Sequence, residues 1–356
     1  MFGALRHIFN DSSSDVRGKV VGIYGFLVFA NVAAWLWGVA AFHGRPVLLG
    51  TALLAYTFGL RHAVDADHIA AIDNVTRKLM QDGKHPVGVG FFFSIGHSLV
   101  MLIGTAVIAL AVTGLQEGFN RFNDIAGVIS TIVSGSFLLI MAVMNLVIAR
   151  SVYRTYRHIR RGGQYDDESF NILLNNRGLI ARILRPLFRL VNQSWHMLPI
   201  GFLFGLGFDT VTEVSLLTVA ATEASKGLPV WSILAFPALF CAGMSLIDTS
   251  DGILMLGAYG WAFIKPIRKL YYNLMITIVS AIVAIVIGGI ETLGLIASEF
   301  NLQGWFWDEM KVLNDNFGLL GYGIIAVFGA AWTVSFVVYR VKKLDDVEIA
   351  AVSGNT

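Results

Sequence analysis

Apolar runs long enough to cross a bilayer recur between residues 20 and 339, and no other feature of the chain constrains its fold as tightly. A hydrocarbon core admits only structures that satisfy their backbone polar groups internally, so repeated runs of about 20 apolar residues must be helices. Eight spans follow, at roughly 20–42, 46–76, 86–113, 125–149, 196–222, 228–261, 271–297 and 317–339. Several exceed the ~20 residues needed to cross, which predicts tilting, breaks or extension past the lipid. Composition agrees: of 356 residues, 56% are apolar and only 14% charged, whereas soluble domains carry about 25% charged residues. This balance excludes a soluble enzyme and a nucleic-acid binder, and the single cysteine, Cys241, excludes an internal disulfide. Residues 1–19 are polar with no short apolar region and cleavage site, so no signal peptide is expected. The expected fold class is an all-α polytopic membrane protein with eight transmembrane helices.

Lysines and arginines outside the spans give the orientation. Counted segment by segment they number three, one, three, one, nine, one, three, one and three, which accounts for 25 of the 26 basic residues. Rich and poor segments alternate throughout. By the positive-inside rule both termini lie in the cytoplasm, and an odd number of spans would break the alternation. Arg77, Lys78 and Lys84 are assigned to one of the rich segments. The nine-arginine segment runs from Arg150 to Arg189. In it Arg182, Arg185 and Arg189 share a helical face opposite Ile183, Leu184, Leu187 and Val191, a pattern suited to the inner membrane surface.

Two stretches match at a distance of about 146 residues. Phe58-Gly59-Leu60 pairs with Phe204-Gly205-Leu206, and Phe93-x-x-Gly96-His97-Ser98-Leu99 pairs with Phe240-x-x-Gly243-Met244-Ser245-Leu246. The repeats are read as parallel, in a 4+4 arrangement. The chain then reads as a single membrane domain (1–356), with one four-helix repeat at 1–149, the Arg-rich segment at 150–195 and a second repeat at 196–356. Repeats of this kind frame transport sites near the membrane midplane.

Inside the spans, charges cluster. Span two holds Arg61, His62, Asp65, Asp67, His68 and Asp73; span three holds His97; span five holds Asp209 and Glu213; span six holds Asp248 and Asp251. This is seven carboxylates against one arginine. An aspartate at a helix centre costs ~3 kcal/mol, so the set would cost very roughly 20 kcal/mol unpaired. Such sites must be protonated, wetted or occupied by a cation. On a continuous helix Arg61, His62, Asp65 and His68 fall within an arc of about 120°. Asp67 points about 140° away from His62. Asp67 therefore either joins the site through a local unwinding of span two, which Gly59 would assist, or orients a histidine from outside. Asp209 with Glu213, and Asp248 with Asp251, share helical faces. Glu223 and Glu291 sit near span ends and are read as interfacial.

Neutral imidazoles with carboxylates make a nitrogen/oxygen donor set suited to nickel, cobalt or zinc, whereas magnesium and calcium favour oxygen and copper(I) favours sulfur. Alternatives stand beside this reading. His97 alone serves equally as a hydrogen bond between helices, and Asp248 and Asp251 with Ser245, Thr249 and Ser250 also read as a polar packing seam. Asn31 in span one either bonds the cluster or joins helices.

With these residues in hand, the chain resembles the nickel/cobalt permease family. The family's span-two signature, a histidine, four residues, then Asp-His, stands at residues 61–69 as Arg-His-Ala-Val-Asp-Ala-Asp-His-Ile. Its Gly-His-Ser element is similar to residues 96–98, and its Gly-Met-x-x-x-Asp-Thr-x-Asp element to residues 243–251. Its Leu-Gly-Phe-Asp-Thr-Ala-Thr-Glu element is similar to residues 206–213, with Val211 in place of the alanine. The resemblance implies high-affinity uptake of Ni²⁺, in some members Co²⁺, across the cytoplasmic membrane. It also implies that His62, Asp67 and His68 are needed, with Val64 at the position that varies between members. On this basis the expected metal ligands are His62, Asp65, Asp67, His68 and His97. Asn31, Arg61, Val64, Asp209, Glu213, Asp248 and Asp251 are expected along the pathway or behind the ligands. No cofactor is expected, the metal ion being the substrate, with nickel preferred and cobalt weaker.

The chain has no Gly-x-x-x-x-Gly-Lys-Ser/Thr loop, so the membrane potential is the expected energy source, worth ~2.3 kcal/mol per charge per 100 mV. An intramembrane metalloenzyme is the main rival, but the His-Glu-x-x-His string and the Gly-x-Ser-x-Gly turn are absent. Membership of an ATP-driven importer is a third reading; no ATPase subunit is expected. A channel fits less well, because tight imidazole ligation slows release of the ion.

Overall fold

The computed structural model describes residues 11, 15–111, 116–160, 191–207, 211–262 and 266–341. Among these, all regular structure is helical. The first helix, α1 (Val16–Ala41), is capped by Asp15, whose carboxylate accepts from Gly18 N at 2.9 Å. It is apolar on nearly every side and only 17% of its most apolar window is buried, so most of its surface is left for lipid. A turn through Gly44 (φ 74) leads to α2 (Pro46–His62), which opens on a proline in the first helical turn, where the missing N–H costs nothing. Then come α3 (Ala66–Gln81), α4 (Val89–Ala111), α5 (Gln116–Arg160), α6 (Met197–Phe204), α7 (Val211–Ser225), α8 (Val230–Ile233), α9 (Ala235–Ala262), α10 (Pro266–Glu299), α11 (Trp305–Asp315) and α12 (Phe317–Val341).

Six helices among the described residues are long and apolar enough to cross a membrane, and α2 with α3, bent by 49°, makes a seventh candidate. The expected fifth span, 196–222, is divided: α6 ends in a tight turn at Gly205–Gly207, and α7 begins at Val211. Neither piece is long enough to cross alone. Helix α5 has 45 residues, about 67 Å at 1.5 Å per residue, so it runs well past the expected 125–149. Helix α11 was not expected at all; it buries none of its residues and leaves Trp305 and Phe306 exposed.

The centre is made by glycines that let backbones touch. On α2, a methyl group at Gly59 would overlap the carbonyl of Phe240 on α9, and on α4 one at Gly96 would overlap the carbonyl of Leu198 on α6. Small residues serve this purpose in membranes because close van der Waals packing, rather than the hydrophobic effect, holds helices together. These crossings carry His62, His97 and Asp248 towards one point.

One sequence expectation is corrected here. Arg77 and Lys78 are not loop residues: α3 continues to Gln81 and buries both. Glu291, expected near a span end, is buried on α10 and accepts from Ser134 Oγ of α5 at 2.8 Å. The amphipathic stretch expected around Arg182, Arg185 and Arg189 lies outside the described residues.

Candidate metal centre

Span two breaks inside its own signature. The helix stops at His62, Ala63 to Asp65 form a turn, and Asp65 (φ −64, ψ 147) is the extended residue from which α3 starts. Amides of Val64 and Asp65 turn back to the carbonyls of Arg61 and His62, each at 2.9 Å. The single-helix arc predicted for His62, Asp65 and His68 is therefore corrected, because the two histidines sit on helices that diverge by 49°. The unwinding frees the end of α2 to present His62 while the first turn of α3 presents His68.

His62, His68 and His97 are all buried, and one ligand atom from each lies within 4.8 Å of the others. Their ring centroids are 4.7 Å (62–68), 4.9 Å (62–97) and 5.0 Å (68–97) apart. Each ring is held by a carboxylate. His62 donates from Nδ1 to Asp65 Oδ2 at 2.9 Å, and His68 from Nδ1 to Asp248 at 3.2 and 3.3 Å. A carboxylate accepts, so Nδ1 carries the proton, and in the neutral imidazole this leaves Nε2 with the lone pair that a metal would take. His68 Nε2 is buried with no hydrogen-bond partner, and so is His97 Nδ1. His97 Nε2 lies 2.8 Å from Glu213 Oε1 and 3.1 Å from His62 Nε2, while that same Glu213 oxygen is 3.7 Å from His62 Nε2. Glu213, on the first turn of α7, thus reaches the same small volume as the imidazoles. Metal–nitrogen bonds of about 2.1 Å place two ligand nitrogens at most about 4.2 Å apart across an ion. Only one pair of the three can be that far apart, so the triad must draw together to hold an ion. Phe93 meets His68 edge-on (4.8 Å) and Phe240 lies beside His62 (5.5 Å), walling the centre with apolar rings.

The remaining predicted residues fall into distinct places. Asp67 is in the first turn of α3 and partly exposed, its charge acting on both His62 and His68. Asp251 is partly buried, one turn beyond Asp248 on α9, with one carboxylate oxygen buried and unpartnered. Arg61 is exposed, and Val64 is partly buried in the turn. Asn31 does not bond the histidines. It accepts from Tyr56 Oη (3.0 Å) and donates to the carbonyls of Leu27 (2.8 Å) and Ala242 (3.3 Å), joining α1 to α2 and α9. Asp209 lies outside the described residues. Sequence reasoning set Glu213 behind the ligands, whereas the geometry brings it to their nitrogens. The i,i+4 pairing with Asp209 gave its face but not that face's neighbours.

A family model described as High-affinity nickel-transport protein matches residues 48–338. The chain is 56% identical over 351 residues to the High-affinity nickel transport protein of Cupriavidus necator, covering 99% of this chain and 100% of that protein. It is 42% identical over 296 residues to the High-affinity nickel-transport protein NixA of Helicobacter pylori strain ATCC 700392, covering 82% and 88%. It is 36% identical over 346 residues to the Cobalt transport protein NhlF of Rhodococcus rhodochrous, covering 94% and 96%. No solved structure matches the chain.

Proposed function

The chain belongs to the high-affinity nickel-transport protein family, and from that premise we propose how its residues move the ion. It is a multi-pass membrane transporter rather than an enzyme, and nickel is its substrate. A single observation carries the proposed route: three buried imidazoles from α2, α3 and α4 converge, two of them with the outward nitrogen held by a carboxylate. In this reading Ni²⁺ loses water as it enters from outside and binds His62, His68 and His97, with Glu213 as an oxygen donor. Asp65 and Asp248 hold the rings, and Asp67 adds negative charge at the partly exposed rim. Asp251 lines the way to the cytoplasm. A divalent ion moving down the potential gains about twice 2.3 kcal/mol per 100 mV, so the chain needs no ATPase subunit.

The same reading keeps eight spans in a bacterial inner membrane with both termini cytoplasmic, counting the broken α6–α7 pair as one span beside the broken α2–α3 pair. An internal repeat is supported by these two breaks, but they lie in spans two and five, three spans apart, so the copies cross the membrane in opposite directions and the parallel 4+4 reading gives way to an inverted one. The breaks fall about 146 residues apart, and Asp67 after the first corresponds to Glu213 after the second. The paired packing of α2 on α9 and α6 on α4 supports the repeat too. Rocking of one repeat against the other would then expose the centre to each side in turn. Valine at position 64 leaves the turn uncrowded, and we assign nickel the preference over cobalt.

Radioactive nickel accumulation in a transport-deficient cell tests the reading. The unmodified chain should accumulate nickel, and His62→Ala should fall to background while still reaching the membrane. Retained uptake by His62→Ala would remove His62 from the ion's ligands.

A further inference from the structure

The turn that parts His62 from Asp65 is held by α12, a helix carrying none of the four sequence elements that mark the site. Gly321 on α12 faces the carbonyl of Val64 so closely that a methyl group on its Cα would overlap both the oxygen and the carbon. One turn earlier on the same face, a methyl group on Gly318 would stand 3.1 Å from Asp65 Oδ1 and 3.3 Å from Arg61 Nη2. Gly323 and Gly329, on the same helix, have open space where a side chain would go. Close approach is therefore local to the turn and is not a general feature of α12.

What Gly321 meets decides the consequence. The obstacle is backbone, which cannot rotate away as the end of a side chain can, so a side chain at 321 must displace either α12 or the turn. Moving the Val64 carbonyl moves the next residue, Asp65, whose amide bonds the His62 carbonyl at 2.9 Å and whose carboxylate bonds His62 Nδ1 at 2.9 Å. Displacement of a few tenths of an ångström thus reaches the imidazole through both bonds.

We propose that Gly321, assisted by Gly318, is a positioning residue for the transported ion: α12 sets where the turn sits and so where His62 points, without touching the metal. The inference rests on the reading that His62 binds nickel. Gly318 acts more weakly, because the groups it meets are the ends of flexible side chains.

Nickel uptake kinetics of the full-length chain test this, with Gly321→Ala, Gly318→Ala, Gly323→Ala and His62→Ala each normalised to the protein present in the membrane. Cobalt inhibition of nickel uptake is measured for each active variant. Disturbing a residue that orients a ligand typically weakens metal binding, so Gly321→Ala should raise the KM for nickel about tenfold or more, and Gly318→Ala about threefold. Both should alter the ratio of cobalt to nickel affinity, and Gly323→Ala should match the unmodified chain. A purely structural role would lower the amount of transporter and leave KM and the ratio in place. Wild-type KM and ratio in both Gly321→Ala and Gly318→Ala overturn the inference. If Gly321→Ala does not reach the membrane, Gly318→Ala decides alone. His62→Ala separates the premise: uptake retained there defeats the reading of the site, whereas uptake lost there with unaltered glycine variants defeats only the role of α12.

Discussion

Helix α3 passes through two buried polar clusters. At its start, His68 joins His62 and His97, and Asp65, Asp248 and Glu213 each lie against one of these imidazoles. Further along, Asp73 accepts a hydrogen bond from Tyr259 Oη of α9, and the charge of the Arg77 guanidinium, one turn on, acts on it without a direct contact. Arg77 in turn donates to Thr277 Oγ1 at 3.1 Å and to Asn74 Oδ1 at 3.5 Å. Both clusters are buried and both contain aspartate, yet only one carries its own permanent cation. The first has ring nitrogens with nothing to bind, and among the described residues the only fixed cation near it, Arg61, stands at the exposed rim beside Asp65 rather than among the imidazoles. Buried charge in a membrane is thus a poor marker of an ion site taken alone; a buried charge imbalance that neutral imidazoles surround is a better one.

If the contrast is right, breaking a carboxylate in the first cluster should cost metal binding, and breaking one in the second should cost stability. Asp248→Ala should show the larger effect on nickel binding. It frees His68 Nδ1, so the ring loses both its orientation and the partner that keeps the lone pair on Nε2. Nickel affinity should fall by about 10–100-fold, with Asp248→Asn in between because the amide oxygen still accepts from Nδ1. Direct nickel binding to the purified protein measures both, and unchanged affinity in Asp248→Ala would dissolve the contrast. Asp73→Asn is the counterpart. Disturbing the Tyr259 hydrogen bond and removing the anion that acts on Arg77 should destabilise the fold by roughly 1–3 kcal/mol, read as a lower thermal midpoint in detergent, while nickel affinity holds. Arg77→Met added to Asp73→Asn should recover part of the loss. A drop in affinity without a drop in stability would move Asp73 into the ion's path.

Those clusters also show how far the sequence could be read. The apolar runs gave the helical membrane class because the bilayer leaves few alternatives, and His62, His68 and His97 were visible as imidazoles placed where polarity is expensive. Three things were not visible, each for a physical reason. Arg77 sits one residue past the point where the apolar run fades, so it was counted with the loops; α3 buries it because Thr277 and Asn74 offer it acceptors, and those come from packing rather than local pattern. The break at residues 63–65 has no proline, and its one nearby glycine, Gly59, lies in the helix against Phe240. What holds the turn is the backbone of α12, some 250 residues away along the chain. Glu213 could be given a helical face but not the neighbour of that face, because the division of span five into α6 and α7 was not foreseen.

Asn31 offers the smallest and most discriminating check. Its amide is partly buried among α1, α2 and α9, and each of its bonds goes to another helix or to its own preceding turn. A hydrogen bond between membrane helices contributes on average about 0.6 kcal/mol, because the helices find other partners when it is lost. Asn31→Ala should therefore lower the thermal midpoint slightly and leave the KM for nickel within about twofold, an affinity change below ~0.4 kcal/mol. The Tyr56 hydroxyl is left to find water or a carbonyl, and α2 keeps its register because Gly59 and Gly243 still set the crossing with α9. A tenfold rise in KM would instead mean that α2 is steered from α1, and the boundary drawn between groups that hold the helices together and groups that hold the ion would have to pass through Asn31.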